Sequence, residues 1–309
     1  MMTKHVTTFL STVTFLASVT AANAEEIKIG TGGLSEDYPN AIVPAISEAL
    51  QEYGYTAVAN TAGSHQENLD NLLSGTMPVA LSPLDVVALN MTAEKDPDES
   101  LLLIGGKMVP EALFCVAYKG NNVLSYDDLT DDQETPIKIS VGEENSTTAR
   151  TFQRLMTLDP DLKKIKLFYK ENTRIELNRL LSGRRDLVCF VARANPEHEL
   201  IKRVMKQDDL FFISINHPSF ANAKIGNIRL YDIQEIPVSK GIFGFNPKTV
   251  KTLVTWVGVV VNETQVDNKL LDALDIVVRK PDLLSKTLVT KAKRLFDKVK
   301  SRVEEVVDY

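Results

Sequence analysis

The spacing of apolar residues changes period in an ordered way between Ile27 and Leu81. Ile27 and Ile29 alternate with polar neighbours, which predicts a short strand over Ile27–Gly30. The Thr31-Gly32-Gly33 stretch then breaks the run with backbone freedom. Ile42, Ile46, Ala49, Leu50 and Tyr53 fall at helical spacing behind Pro39, which predicts a helix over Pro39–Tyr53. A strand follows at Tyr55–Ala59. Ser64-His65-Gln66-Glu67 then reads as a capping box, with Ser64 accepting from the Glu67 amide and Glu67 reaching back. Leu69, Leu72 and Leu73 line one face of that helix, Ser74-Gly75 ends it, and Val79–Leu81 is the next strand. The result is a βαβαβ unit whose helices aim their amide-rich amino ends at one edge of a sheet, where a carboxylate or phosphate is favoured.

The same plan recurs downstream. Ile137–Val141 alternates as a strand, and Gly142–Asn145 is a loop. Ser146 can cap a helix carrying Phe152, Leu155 and Met156, and Ile165–Tyr169 is another strand. Thr173-Arg174-Ile175-Glu176 reads as a second capping box, followed by Leu177, Leu180, Leu181 and again Ser182-Gly183, before a buried strand at Leu187–Val191. Two units built alike, each closing a capped helix with Leu-Leu-Ser-Gly, imply two lobes with a cleft between them. That points to binding more than to a reaction.

Between and after the units, Leu101–Gly105 and Leu113–Tyr118 read as separate strands, and Gly120–Asn122 with Tyr126–Thr135 as a polar linker into the second lobe. Phe211–Ile215 and Leu230–Ile236 continue that lobe. Thr255–Val261, apolar and β-branched, is the return crossing. Helices are expected at Leu270–Val278 and Leu283–Val303, the second with Leu288, Ala292, Leu295, Val299 and Val303 as its stripe. Residues 1–24 read as a secretory leader: Lys4, an apolar stretch over Val6–Val19, and Ala22-Asn23-Ala24 as a small-x-small cleavage site before Glu25. The expected organisation is therefore a leader over 1–24, a first lobe over 25–118 and 255–309, and a second over 119–254. Nothing after the leader is long and apolar enough to span a bilayer.

Composition narrows the function. A formal net charge of −6 and no basic tract argue against nucleic acid or an anionic membrane surface as partner, while leaving a small anion open to local donors. Cys115 and Cys189 sit in apolar strands. Buried free thiols are the expectation, and a disulfide between them is the alternative in an oxidising compartment. The histidines are isolated and no Cys-x-x-Cys occurs, so no metal site is expected. Gly30-x-Gly32 lacks the third glycine of a dinucleotide loop, having Ser35, and no P-loop is present, so no cofactor is expected. Glu143-Glu144 could in principle serve acid–base chemistry, but adjacent loop acids are read as solvated. The chain is not read as an enzyme.

Ile-Gly-Thr-Gly-Gly over 29–33, Tyr38-Pro39, Gly63-Ser64 with Asn68, and the Leu-x-x-Leu-Leu-Ser-Gly run to Gly75 carry a resemblance. So do Val141-Gly142, Ser146, Thr148, the strand ending near Pro196, Ile236-Pro237 and Val257–Val261. Together they resemble the TRAP-associated extracytoplasmic immunogenic (TAXI) solute receptors across essentially the whole mature chain. The resemblance implies an α/β, two-lobed type 2 periplasmic binding-protein fold with a ligand cleft and a two-crossing hinge. It also implies a monomer in the periplasm that delivers a small carboxylate, an amino acid such as glutamate or a dicarboxylate, to TRAP transporter membrane subunits. The chain departs from the family at Asn145-Ser146-Thr147-Thr148, at Ala192-Arg193 and at Pro83-Leu84, which predicts a remodelled pocket.

The candidate ligand-binding residues follow. Arg150, in a first helical turn, either clamps a carboxylate or is a solvated arginine, and Arg193 follows a buried strand at its ligand-facing end. Ser146, Thr147 and Thr148 offer hydroxyls and amides. Thr31, Gly32 and Gly33 allow close backbone approach. Tyr38, Ser64 and Asn68 are further polar candidates, and Phe243 is an aromatic wall by resemblance. A periplasmic sensor or surface-interaction protein using the same cleft is the alternative function.

Overall fold

The computed structural model describes residues 24–32, 38–93, 101–131, 134–170, 172–241, 246–280 and 283–284. The expected leader, Gly33, Phe243 and nearly all of the helix expected over Leu283–Val303 lie outside the described residues. The first unit is β1 (Glu25–Gly30), a π-helical turn at Tyr38–Ile42 leading into α1 (Val43–Leu50), β2 (Tyr55–Asn60), α2 (His65–Leu73) and β3 (Val79–Pro83). β1 lies between β2 and β3 and runs parallel to both. The Ser64–Glu67 capping box forms in both directions, at 3.2 and 2.6 Å. Next come α3 (Leu84–Ala93), β4 (Leu101–Tyr118) and the short α4 (Asp127–Thr130).

The second unit repeats the first: β5 (Ile137–Ser140), α5 (Thr147–Leu158), β6 (Ile165–Phe168), α6 (Thr173–Leu181) and β7 (Leu187–Arg193), with β5 between β6 and β7 and parallel to both. One expected detail differs. Asn172, not Thr173, caps α6, its Oδ1 accepting from the Ile175 amide at 3.2 Å. Glu176 does not reach back. It is buried and paired with Arg179 and Arg185, the latter at 2.8 Å, and Arg185 lies 3.8 Å over the Phe168 ring. A carboxylate with two guanidinium partners in the interior is held there more firmly than at an exposed cap.

The remaining elements are α7 (Glu199–Met205), β8 (Leu210–Ile213), β9 (Lys224–Ile225), β10 (Ile228–Arg229), β11 (Tyr231–Pro237), β12 (Thr249–Asn262) and α8 (Asn268–Val278). One sheet runs β2-β1-β3-β12-β4-β7-β5-β6, with β11 on β12 and β8 on β4. The two strands expected between Leu101 and Tyr118 are one 18-residue strand. Its ladder with β12 jumps from Val257↔Val109 to Val259↔Ile104, so Gly105–Met108 bulge outward, with Gly105 and Gly106 at positive φ. Within β4 the chain already pairs with the second unit, Glu111–Val116 lying against β7. It returns inside β12, where Val254–Trp256 pair with Pro110–Ala112. The two crossings are therefore neighbouring antiparallel strands.

Side-chain alternation along β4 feeds different cores: Leu113, Cys115 and Ala117 pack with Phe152, Leu155 and Ile139, while Phe114 and Val116 pack with Leu177, Leu180 and Phe190. The first half has its own core around Ile29, Ile46, Leu50, Leu81, Val257 and Leu274. The free-thiol expectation is corrected: Cys115 and Cys189 form a disulfide. They face each other directly across the β4–β7 ladder with Cα atoms 4.1 Å apart, a register the sequence does not display. Among the described residues no helix is long and apolar enough to cross a membrane.

Candidate functional site

A cleft of about 1300 Å³ separates the halves. The first half contributes Gly32, Tyr38, Thr61, Gly63, Ser64, His65 and Glu67. The second contributes Glu143–Thr148, Val191–Arg193, Asn195 and Glu197–Glu199, and Glu111 comes from the crossing strand between them. Most of these residues sit just beyond the carboxyl ends of the parallel strands β1, β2, β5 and β7 or at the amino ends of α2 and α5. That is where open α/β sheets leave room for a ligand.

The wall in the first half is built around His65. Gly32 has φ +71°, and a Cβ there would lie 2.3 Å from the imidazole, so glycine lets the β1 loop lie against the ring. His65 Nδ1 is 2.9 Å from the Leu81 carbonyl oxygen. A carbonyl only accepts, so Nδ1 carries the proton and Nε2 keeps its lone pair. Burial pushes the ring pKa down to about 4, against a smaller upward pull from the Leu81 carbonyl, so the imidazole is neutral at physiological pH. Tyr38 meets His65 edge-on at 5.9 Å between centroids, and its hydroxyl donates to Glu111 Oε1. Glu111 in turn stands directly opposite Arg193 across the β4–β7 ladder.

The opposite wall is the amino end of α5. Gly142, at φ +79°, turns the chain after β5. Ser146 Oγ accepts from the Ala149 amide at 3.2 Å and donates to the Val141 carbonyl at 3.0 Å. Thr148 Oγ1 accepts from the Val191 amide at 2.8 Å, which fixes α5 against β7. Thr147 and Thr148 thereby bring the first turn of α5, with its positive dipole end, to the cleft.

Of the residues singled out by sequence, Gly32, Tyr38, Ser64, Ser146, Thr147, Thr148 and Arg193 meet around the cleft. Thr31 does not line it: the residue is fully buried and its hydroxyl donates to the Asn60 carbonyl at 3.1 Å. Asn68 is fully buried beneath Gly30, and its amide group meets no hydrogen-bonding partner among the described residues. Arg150 is not among the described residues lining the cleft. Its guanidinium donates to Asn145 Oδ1 at 2.8 Å and Gln153 Oε1 at 3.0 Å, so it braces its own helix instead of lining the cleft. Sequence reasoning missed His65, Glu111, Thr61, Asn195 and His198. For Glu111 a signal exists: it is an isolated acid between Val109-Pro110 and the apolar run Ala112–Ala117.

No protein-family model matches the chain, and no curated protein matches it in sequence. Solved structures do resemble it. YhfZ from Shigella flexneri is similar with TM-score 0.51 and 12% identity, over 87% of this chain and 91% of that one. XAC2383 from Xanthomonas citri, solved bound to ATP, is similar with TM-score 0.51 and 9% identity, over 82% of each chain. A binding-protein component of an ABC phosphonate transporter from Pseudomonas aeruginosa is similar with TM-score 0.49 and 12% identity, over 86% of this chain and 78% of that one. Likeness at this identity speaks to the fold alone. Two α/β units of matching strand order, a shared sheet, two adjacent crossings and a cleft between the units make this the two-lobed type 2 periplasmic binding-protein fold.

Proposed function

We propose that the protein is a periplasmic receptor that captures a small solute by closing its halves and delivers it to a TRAP-type secondary transporter. The cleft is the observation that carries this reading: both halves offer polar groups to one space, and they are joined through two paired strands. Only a closed form lets one small molecule touch both walls, so a ligand shifts the population towards closure. Arg193 and the amino end of α5 supply the seat for a carboxylate, the chemistry expected from the sequence. The transport partner rests on the family resemblance of the glycine loop at 29–33 and the Gly63–Gly75 segment. The proposed lobes, 25–118 with 255–309 and 119–254, hinge where Pro110–Ala112 meets Val254–Trp256.

The test is a thermal-shift screen of the chain from Glu25 against amino acids, dicarboxylates, sugars and nucleotides, followed by small-angle scattering with any stabilising compound. A true ligand raises Tm by mass action and lowers the radius of gyration. Arg193→Ala weakens its affinity about tenfold or more with the melting temperature unchanged, whereas Arg150→Ala leaves affinity intact. No compound that both stabilises and compacts the protein means the receptor reading fails. Uptake by reconstituted TRAP subunits that does not depend on this protein removes the transport partner alone.

A further inference from the structure

We infer that His65 sets the specificity of the cleft, and that the solute it selects is a hydroxy acid whose hydroxyl group donates to Nε2 of the imidazole. The inference rests on the receptor reading and names the ligand class of its cleft.

His65 lines the cleft although it is only 5% exposed. Its ring is fixed on three sides. Nδ1 donates to the Leu81 carbonyl at 2.9 Å, Gly32 lies so close that a Cβ there would meet the ring at 2.3 Å, and Tyr38 packs edge-on. A neutral imidazole has one proton for its two nitrogens, so Nε2 is an acceptor only. It has no hydrogen-bonding partner among the described residues. Burial keeps the ring neutral at physiological pH, so this acceptor is not converted into a donor.

Ser64 supplies the complementary group. Its amide donates to Glu67, and its Oγ accepts from the Glu67 amide at 3.2 Å. The hydroxyl proton of Ser64 is left without a partner among the described residues. Ser64 and His65 are consecutive, and both line the cleft at the amino end of α2. This corner of the first wall therefore offers one acceptor and one donor. A hydroxyl matches both, since it donates one hydrogen bond and accepts another. A methylene matches neither and strands a buried nitrogen that water no longer reaches. A ketone oxygen only accepts, and brings its lone pairs against Nε2. An ammonium only donates, and leaves the Ser64 proton facing it. With the carboxylate on the α5 wall as proposed, the solute that satisfies both walls carries a carboxylate and a hydroxyl.

Isothermal titration of the chain from Glu25 with two matched series tests this: L-malate, succinate and L-aspartate, then L-2-hydroxyglutarate, glutarate and L-glutamate. Within a series only the substituent beside the carboxylate changes, from hydroxyl to hydrogen to ammonium. The expected result is that the hydroxy acid of at least one series binds about tenfold or more tighter than both of its counterparts. His65→Phe is expected to abolish that preference, bringing the hydroxy acid to within about twofold of the unsubstituted acid, whose own affinity is unchanged. A merely structural role for His65 would weaken both acids alike and leave their ratio intact. The wild-type series decide even where the variant folds poorly. Equal binding within both series, or tighter binding of an ammonium or unsubstituted acid, overturns the hydroxyl seat and leaves the receptor standing. Binding of none of the six overturns the hydroxy-acid class, and the receptor falls with it only if the wider solute screen is also silent.

Discussion

Burial sets the charge of His65. Its pKa falls from 6.5 to about 4, chiefly through desolvation, with the Leu81 carbonyl pulling weakly the other way. Between those two values the unfolded chain binds a proton that the folded chain refuses. The stability this residue contributes is complete above pH 6.5 and drains away as pH falls through the window towards 4, by up to about 3 kcal/mol. Urea denaturation at pH 7 and pH 5 checks it: wild type loses more stability on acidification than His65→Gln, while the carboxylates shared by both proteins cancel. Equal losses would show that the imidazole is already protonated in the fold. At this scale the sequence is a partial guide. Arg150 and Arg193 look alike as first-turn or strand-end arginines, but local hydrogen bonds to Asn145 and Gln153 take Arg150 out of the cleft. His65 is hidden for the opposite reason, since it sits second in a capping box that explains its neighbours completely.

Elements whose hydrogen bonds are local were legible. The first βαβαβ unit, its repeat and the cap at Ser146 all follow from period, glycine and cap residues within a few positions. Elements defined by distant partners were not. α3 carries Asp85 and Asn90 within an apolar run and shows no stripe, and β4 and β12 become long strands only because each runs on into the other half of the sheet. The disulfide is a consequence of that non-local register. Cys115 and Cys189 are 74 residues apart in sequence, so the bond removes a large loop-closure entropy from the unfolded chain, worth about 4 kcal/mol in the chain-entropy account. Replacing both cysteines with alanine is therefore expected to lower the urea midpoint strongly with the native circular dichroism retained. A double variant as stable as the wild type would mean the two thiols are not bonded in the protein in solution.

If the cleft closes as proposed, the way the halves are held together governs it, and Asp85 is the residue placed to do so. It sits in α3, directly after the first unit, fully buried and outside the cleft lining. Its carboxylate accepts from Thr151 of α5 at 2.6 Å, from Tyr231 of β11 at 3.0 Å, from Thr255 of the returning strand at 3.4 Å and from the Val86 amide at 2.9 Å. One group in the first half thus ties two elements of the second to a crossing strand. Desolvation raises its pKa while the hydrogen bonds from Thr151, Tyr231 and Val86 oppose the rise. A carboxylate raised in this way binds its proton more readily folded than unfolded. Its contribution is greatest below pH 3.8 and declines as pH climbs through the raised value. Asp85→Ala strands those donors in the interior and is expected to cost about 3 kcal/mol, whereas Asp85→Asn keeps an acceptor oxygen without the charge and costs less. The wider consequence concerns closure. If the tie sets the fraction of molecules able to close, loosening it changes apparent affinity although no ligand contact is touched. Titration of the Asp85→Asn protein with a solute that binds wild type, together with scattering of the empty protein, separates the cases. Altered affinity with a larger empty radius makes Asp85 part of the hinge, and unaltered affinity with reduced stability makes it a strut on which two rigid halves are merely mounted.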